Sequence, residues 1–216
     1  MVNNNIRIVD LFGGIGGFRK GAENFFSKKN IKVECLLYAE KDKFARKTYF
    51  ANWPDNHRWI YDVTKINEKT FCKNDKIDLL FAGFPCQPFS LMGKGKGFQD
   101  ERGELFFAIE KIINQNRPEF FLLENVARIE TINKRKTFLK IKQILSEKLK
   151  YNLFIYKLNS YDYGVEQIRR RIYFLGIKKK ITEKQKQKLV KNPVYKGTSP
   201  SLFLEETVED KYYLSE

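Results

Sequence analysis

Ile6-Arg7-Ile8-Val9-Asp10-Leu11-Phe12-Gly13-Gly14-Ile15-Gly16-Gly17 joins a short β-type run to a cluster of glycines. Glycines there allow a tight turn and close backbone approach to a ligand. The cluster departs from G-x-G-x-x-G, because the position three after Gly16 is Arg19. The match to a dinucleotide fingerprint is therefore weak. A helical stretch follows to about Ser27, then a second strand over 33–38 closed by Ala39-Glu40, then a helix over 42–52. Further strands are predicted over 60–63, 77–81, 120–123, 153–158 and 172–177, with helices over 103–114 and 136–149. The last helix carries Phe138, Leu139, Ile141, Ile144, Leu145 and Leu149 at amphipathic spacing. Strands alternating with helices predict an α/β fold, a doubly wound and mostly parallel sheet. There are no internal repeats.

In such sheets the working groups gather beyond the carboxyl ends of the strands, and several strand ends here carry chemistry. Glu40 ends the second strand and Asp62 follows the third. After the glycine loop, an acid at the next strand end accepts hydrogen bonds from ribose hydroxyls, and Asp62 is placed to meet an adenine amino group. Together they describe a nucleoside pocket that needs no phosphate. Glu40 alone would read as a helix cap. The fourth strand runs into Gly83-Phe84-Pro85-Cys86-Gln87-Pro88-Phe89-Ser90. The two prolines leave this loop little freedom, so Cys86 reads as a nucleophile rather than as packing. Glu124 comes 38 residues later, at the end of the fifth strand. Gln167-Ile168-Arg169-Arg170-Arg171 opens the last strand. Alternation puts Arg169 and Arg171 on one side and Arg170 on the other. An Arg-rich turn by itself is usually a solvated edge; beside Cys86 and Glu124 it reads as an anion- or base-binding wall.

The bulk numbers agree without deciding. The 216 residues hold 41 Lys and Arg against 26 Asp and Glu, a net charge of +15. That excess suits a polyanionic partner, or else a lysine-favouring, AT-rich genome. No apolar run approaches the ~20 residues of a membrane span. The start has no basic-then-apolar leader pattern. Three cysteines, Cys35, Cys72 and Cys86, with no CxxC pair, argue against disulfides and zinc and for a reducing cytoplasm. Residues 178–196 hold eight lysines and one acid. This stretch reads as a solvated helix or linker leaving the sheet, with a nucleic-acid contact as the alternative.

With these residues in place the chain resembles a DNA (cytosine-5) methyltransferase, in family order through about Ile177. Asp10 to Arg19 resembles the family's S-adenosyl-L-methionine loop, and Gly83 to Ser90 its catalytic loop. Gly93 to Phe106 resembles the segment that follows. Glu124-Asn125-Val126 and Gln167-x-Arg169-x-Arg171 match two substrate-site motifs. The resemblance implies a seven-stranded Rossmann-like sheet of the class I S-adenosyl-L-methionine-dependent type. It implies a catalytic domain over 1–177, with 178–216 a basic linker and the start of a target-recognition region. It places the cofactor at Phe12, Gly14, Gly16, Gly17, Glu40, Asp62, Gly83, Pro85 and Leu105.

The resemblance further implies that Cys86 adds to C6 of a cytosine flipped out of double-stranded DNA. Glu124, protonated because a carboxyl in a dry pocket has a raised pKa, would meet N3 and the exocyclic amine. Arg171 would hold O2, and Arg169 would support the loop or nearby backbone. The glycine- and lysine-rich loop 93–97 would close over the nucleotide.

Two departures stand out. Lys41 occupies the position after Glu40 where many relatives carry an aromatic that stacks on adenine, leaving Phe12 to bear most of the stacking. The family's target-recognition region and a C-terminal helix that packs beside the first strand have no counterpart here. The chain then reads as one subunit of a split enzyme, completed by a second polypeptide, or as a truncated product. Apolar surface beside the first strand should lie exposed, which implies a partner chain, self-association or a fragile monomer. The competing readings are a non-catalytic cofactor- and DNA-binding remnant and an RNA cytosine-5 methyltransferase. Of the remaining residues, His57 reads as surface without a partner, Cys35 as core, Cys72 as without a role, and Trp53 and Trp59 as packing.

Overall fold

A computed structural model describes residues 5–72, 75–85 and 101–190. Seven strands form one sheet: β1 Asn5–Leu11, β2 Lys32–Ala39, β3 Arg58–Ile60, β4 Leu79–Gly83, β5 Phe120–Val126, β6 Asn152–Asn159 and β7 Arg170–Ile177, in the order β3-β2-β1-β4-β5-β7-β6. All neighbours are parallel except β7, which runs antiparallel to both β5 and β6. The order reverses between β1 and β4, so their carboxyl ends flank the crevice where open α/β sheets bind ligands. The glycine loop leaves one of these ends and the Phe84-Pro85 segment the other. The expected fold is the observed one.

Five α-helices accompany the sheet: α1 Gly17–Ser27, α2 Lys43–Asn52, α3 Glu101–Asn116, α4 Lys136–Gln143 and α5 Glu183–Val190. One face packs Ile8, Cys35, Tyr38 and Phe81 against Ala22 of α1 and Tyr49 of α2. The other packs Val9, Leu80, Phe121 and Phe174 against Phe106, Ile109 and Ile113 of α3 and Phe138 and Ile141 of α4. Cys35 is core, as expected.

Several boundaries differ from the sequence reading, each for a local reason. The third strand stops at Ile60, because Asp62 accepts from Thr64 N at 2.9 Å and starts a 3-10 turn, Val63–Lys65. The fourth begins at Leu79 rather than 77, since the Asp78 carboxylate accepts from Arg7 N at 2.9 Å in place of a ladder bond. The helix expected over 136–149 is α-helical to Gln143 and then widens into a π-helical turn, Ile144–Lys148. The stretch after Ile177 is not wholly solvated. Ile181 and Leu189 pack on β6 and β7 beside Phe154 and Tyr156, and Tyr156 Oη donates to Leu189 O at 2.6 Å.

Beside α1 the sheet is open. Phe18, Phe25, Leu79, Phe81 and Leu122 line an apolar groove, with the Phe25 side of it 56 % exposed and Phe120 nearby on β5 42 % exposed. Among the described residues no helix lies over it, which is the exposed apolar surface the sequence reading anticipates.

Candidate active site

The glycine loop is shaped from three sides. Phe12, Gly14 and Gly16 adopt left-handed φ of 53°, 55° and 93°. Gly13 N donates to Ala39 O at 3.1 Å, which ties the loop to the end of β2. Tyr38 Oη donates to Gly14 O at 2.7 Å, and Gly14 N donates to Glu40 Oε2 at 2.9 Å. The other Glu40 oxygen accepts from Asp42 N at 2.8 Å. Glu40 is thus joined to the loop rather than serving as a simple cap. Gly16 also serves packing, for a Cβ there would lie 2.2 Å from the Trp53 ring. At Gly14 and Gly17 a Cβ would meet nothing within 4 Å, so these two leave open space above the loop. Phe12 is half-buried and leans on the core.

Three carboxylates surround this loop. Glu40 is one and Asp62 another. Asp62 Oδ2 pairs with Lys41 Nζ at 3.0 Å, and its Oδ1 accepts from Thr64. Burial pushes the Asp62 carboxyl up, but the Thr64 and Lys41 bonds outweigh it and hold it below the usual range. The third is Asp10, fully buried and, among the described residues, with no hydrogen-bond partner for either oxygen. Burial raises it to about 7, against the pull of Arg19 and with a push from Glu40. A cradle of acids opposes a polyphosphate and suits a cationic ligand that offers hydroxyl and amine donors. S-adenosyl-L-methionine has that character, so the residues present fit it.

Beneath the loop a polar network that the sequence reading missed braces α1 against the end of α2. Arg19, 3 % exposed, donates to Glu23 at 3.0 Å, to Tyr49 Oη at 3.3 Å and to Asp55 at 2.5 Å. Its guanidinium also lies 4.9 Å from the Trp53 ring centroid. The available signal was a charged residue on the face of α1 that also carries Ala22 and Phe26. His57 belongs to this network and is not a surface residue. Its side chain is 2 % exposed, Nδ1 meets Asp55 at 2.8 Å, and the ring packs on Tyr49 and Phe50. Cys72 likewise has a partner, since Arg58 Nη1 donates to its Sγ at 3.4 Å. Trp53 packs on Tyr49 as expected, while Trp59 is half exposed and edges against Phe50.

On the other side of the crevice, β4 and β5 pair with Gly83 opposite Glu124. A Cβ on Gly83 would lie 3.5 Å from Glu124 Oε2. Asn125 Nδ2 donates to Phe84 O at 2.9 Å, which fastens the segment leading through the exposed Pro85. Cys86 itself, and the loop 93–97, lie outside the described residues. Arg171 Nε contacts Glu124 Oε1 at 2.6 Å, both side chains 19 % exposed. The isolated carboxyl in a dry pocket is thus an ion pair in this structure. It forms because Arg171 lies opposite Val126, two residues from Glu124 on the same face of β5.

Arg169 lies one residue before β7, exposed. Its backbone ties the loop, from Arg169 N to Asn159 Oδ1 at 3.0 Å and from Ser160 N to Arg169 O at 3.2 Å. The structure therefore brings Glu124 and Arg171 into contact and leaves Arg169 at the loop's edge. Leu105, half-buried, is on α3, which packs against the Val63–Lys65 turn. Among the described residues there is no cluster of three or more metal-ligating side chains, and no helix is long and apolar enough to cross a membrane.

The sequence profile of the family described as C-5 cytosine-specific DNA methylase matches residues 6–216. The type II methyltransferase M1.ScrFI of Lactococcus lactis subsp. cremoris is 40% identical over 97% of this chain, a match that spans 51% of the relative. M.SsoII of Shigella sonnei is also 40% identical, over 99% of this chain and 54% of its own length. The chain thus spans about half the length of these relatives. Among solved structures, the S. pombe Dnmt2 methyltransferase superposes with a TM-score of 0.66 at 22% identity, covering 96% of this chain and 63% of that one. At that identity the likeness concerns the fold.

Proposed function

The chain belongs to the C-5 cytosine-specific DNA methylase family, and from that premise we propose that residues 1–177 are the catalytic domain of a DNA (cytosine-5)-methyltransferase of a restriction-modification system. The single observation that carries this reading is the Glu124–Arg171 pair at 2.6 Å. It stands one strand from the Gly83-Phe84-Pro85 segment that leads into Cys86. A planar ring with an acceptor, a carbonyl and an exocyclic amine on one edge needs such an acid and guanidinium side by side.

The substrate is double-stranded DNA, with the target cytosine flipped into the crevice. Bound S-adenosyl-L-methionine supplies an electrophilic methyl group for C5. Gly14, Gly16, Gly17 and Phe12 shape its cradle, Glu40 takes the ribose hydroxyls, and Asp62 takes the adenine amine. Gly83, Pro85 and Leu105 complete the border of the cofactor site. The Cys86 thiolate bonds to C6, and the displaced electron pair raises the nucleophilicity of C5. Glu124 holds a proton at N3 and accepts from the exocyclic amine, while Arg171 holds O2. Arg169 positions the loop behind Arg171. After transfer the C5 proton leaves and the Cys86–C6 bond breaks.

A second polypeptide is part of the proposal. It would carry the target-recognition region toward which 178–216 leads, together with the segment that closes the cofactor side. The support is the open apolar groove beside α1.

Incubating the chain with S-adenosyl-L-methionine, a 5-fluorocytosine duplex and a polypeptide covering the relatives' second half should trap a covalent adduct on Cys86. Cys86→Ala should give none. No adduct in the complete mixture would leave a binding remnant as the better reading. Robust, sequence-specific methylation by the 216-residue chain alone would sink the second polypeptide.

A further inference from the structure

The position after Glu40 holds Lys41, a residue that cannot stack on a base, yet an aromatic ring stands one strand away. Glu40 N donates to Ile60 O at 3.2 Å and extends the β2–β3 pairing past the strand ends. Continuing the register Ala39↔Ile60 sets Glu40 beside Tyr61 and Lys41 beside Asp62. The second pair is the 3.0 Å ion pair already described.

Tyr61 is 52 % exposed, which is unusual for a large ring next to a sheet, but it is not loose. Lys41 Nζ lies 5.9 Å from its centroid and the Arg46 guanidinium 5.2 Å. Arg46 also donates to Glu40 O at 3.0 Å and to Lys41 O at 2.7 Å. The ring is therefore tied, through two cations, to the backbone carbonyls of Glu40 and Lys41 and to the Asp62 carboxylate at the third strand end. A half-exposed ring held in register with two nucleoside-reading acids is suited to face a flat heterocycle.

We propose that Tyr61 supplies the aromatic wall of the adenine subsite, in place of the residue that Lys41 replaces, and that Lys41 and Arg46 position its ring. Phe12, half-buried against the core, then does not carry the stacking alone. The inference rests on the cofactor reading given above.

Binding of S-adenosyl-L-methionine and S-adenosyl-L-homocysteine to the 216-residue chain, followed by calorimetry without DNA, tests it. Tyr61→Ala should raise Kd for both by about tenfold, the scale of one aromatic stacking contact. Tyr61→Phe should stay within about twofold, because the ring rather than the hydroxyl is used. The melting temperature of each variant separates this effect from misfolding. Glu40→Ala serves as the reference for the site. If Glu40→Ala weakens binding while Tyr61→Ala leaves Kd unchanged, Tyr61 is not the wall and the inference is overturned. If neither substitution changes Kd, or saturable binding is absent even with a polypeptide covering the relatives' second half present, the cofactor reading itself fails and this inference falls with it.

Discussion

Asp10 is the residue whose chemistry is least expected from its neighbours. It is fully buried beneath Gly13, where an added Cβ would lie 2.9 Å from its carboxyl, and no donor among the described residues reaches either oxygen. Its carboxyl is raised from 3.8 to about 7. The folded state therefore binds a proton more tightly than the unfolded chain does. The stability this gives is fully present below pH 3.8, falls as pH rises, and is gone above about 7. Cys35, Tyr38 and Tyr49 also face this carboxyl, but burial pushes all three up, Cys35 to about 12, so none changes charge in that window. Arg19 keeps its charge throughout. Asp10→Asn, neutral at every pH, should flatten the decline in urea midpoint measured between pH 4 and pH 7. An undiminished decline in the variant would show that another group is responsible.

At the scale of elements, one irregularity in β2 decides where Glu40 points. Val33 and Cys35 face α1 and α2, and strict alternation would send Leu37 the same way. The register instead slips between Ile8 and Val9, with Leu36 unpaired, and Leu37 joins the opposite core. Tyr38 returns to the α1 side and Glu40 follows it to the glycine loop. One extra residue in a strand exchanges the faces of everything after it. A second such detail holds β5 against β7. Gly176 is paired with Phe121, and a Cβ there would lie 2.0 Å from the Phe121 ring. Gly176→Ala should cost about 2 kcal/mol of stability through overpacking. Adding Phe121→Leu should recover part of it, as urea unfolding would register. Because the same strand pair aligns Glu124 with Arg171, the single variant should also lose DNA adduct formation. Equal stability of Gly176→Ala and the unaltered chain would contradict this account of the pair.

Across the whole molecule the two halves of the candidate site come from opposite sides of the switch point. The glycine loop, Glu40 and Asp62 belong to the β1–β3 side, and Pro85, Glu124 and Arg171 to the β4–β7 side. The groove of Phe18, Phe25, Leu79, Phe81 and Leu122 lies on the sheet face between α1 and α5, where apolar surface of this kind marks an interaction site. The chain alone should enhance the fluorescence of an anilinonaphthalene sulfonate dye. A polypeptide covering the relatives' second half should suppress that signal and raise the melting temperature, as a partner that binds the folded state must. Phe25→Asp, at the rim of the groove, should weaken this association while leaving S-adenosyl-L-homocysteine affinity within about twofold. Dye binding that persists with the partner present would mean that the groove is not the contact.

The alternation of strands and helices, the glycine turn and the acids at strand ends were legible in the sequence, because side-chain period and turn chemistry are local properties. So were Glu124 and Arg171 as neighbours in one pocket, since both sit at strand ends. Only the tertiary structure could pair them, because antiparallel register between strands some 45 residues apart is not written in either one. The same holds for the bulge that turns Glu40 toward Gly14 and for the burial of His57 and Asp10. It holds too for the cations around Tyr61. Those contacts join residues distant along the chain, and their energies arise only when the sheet and its helices have closed around them.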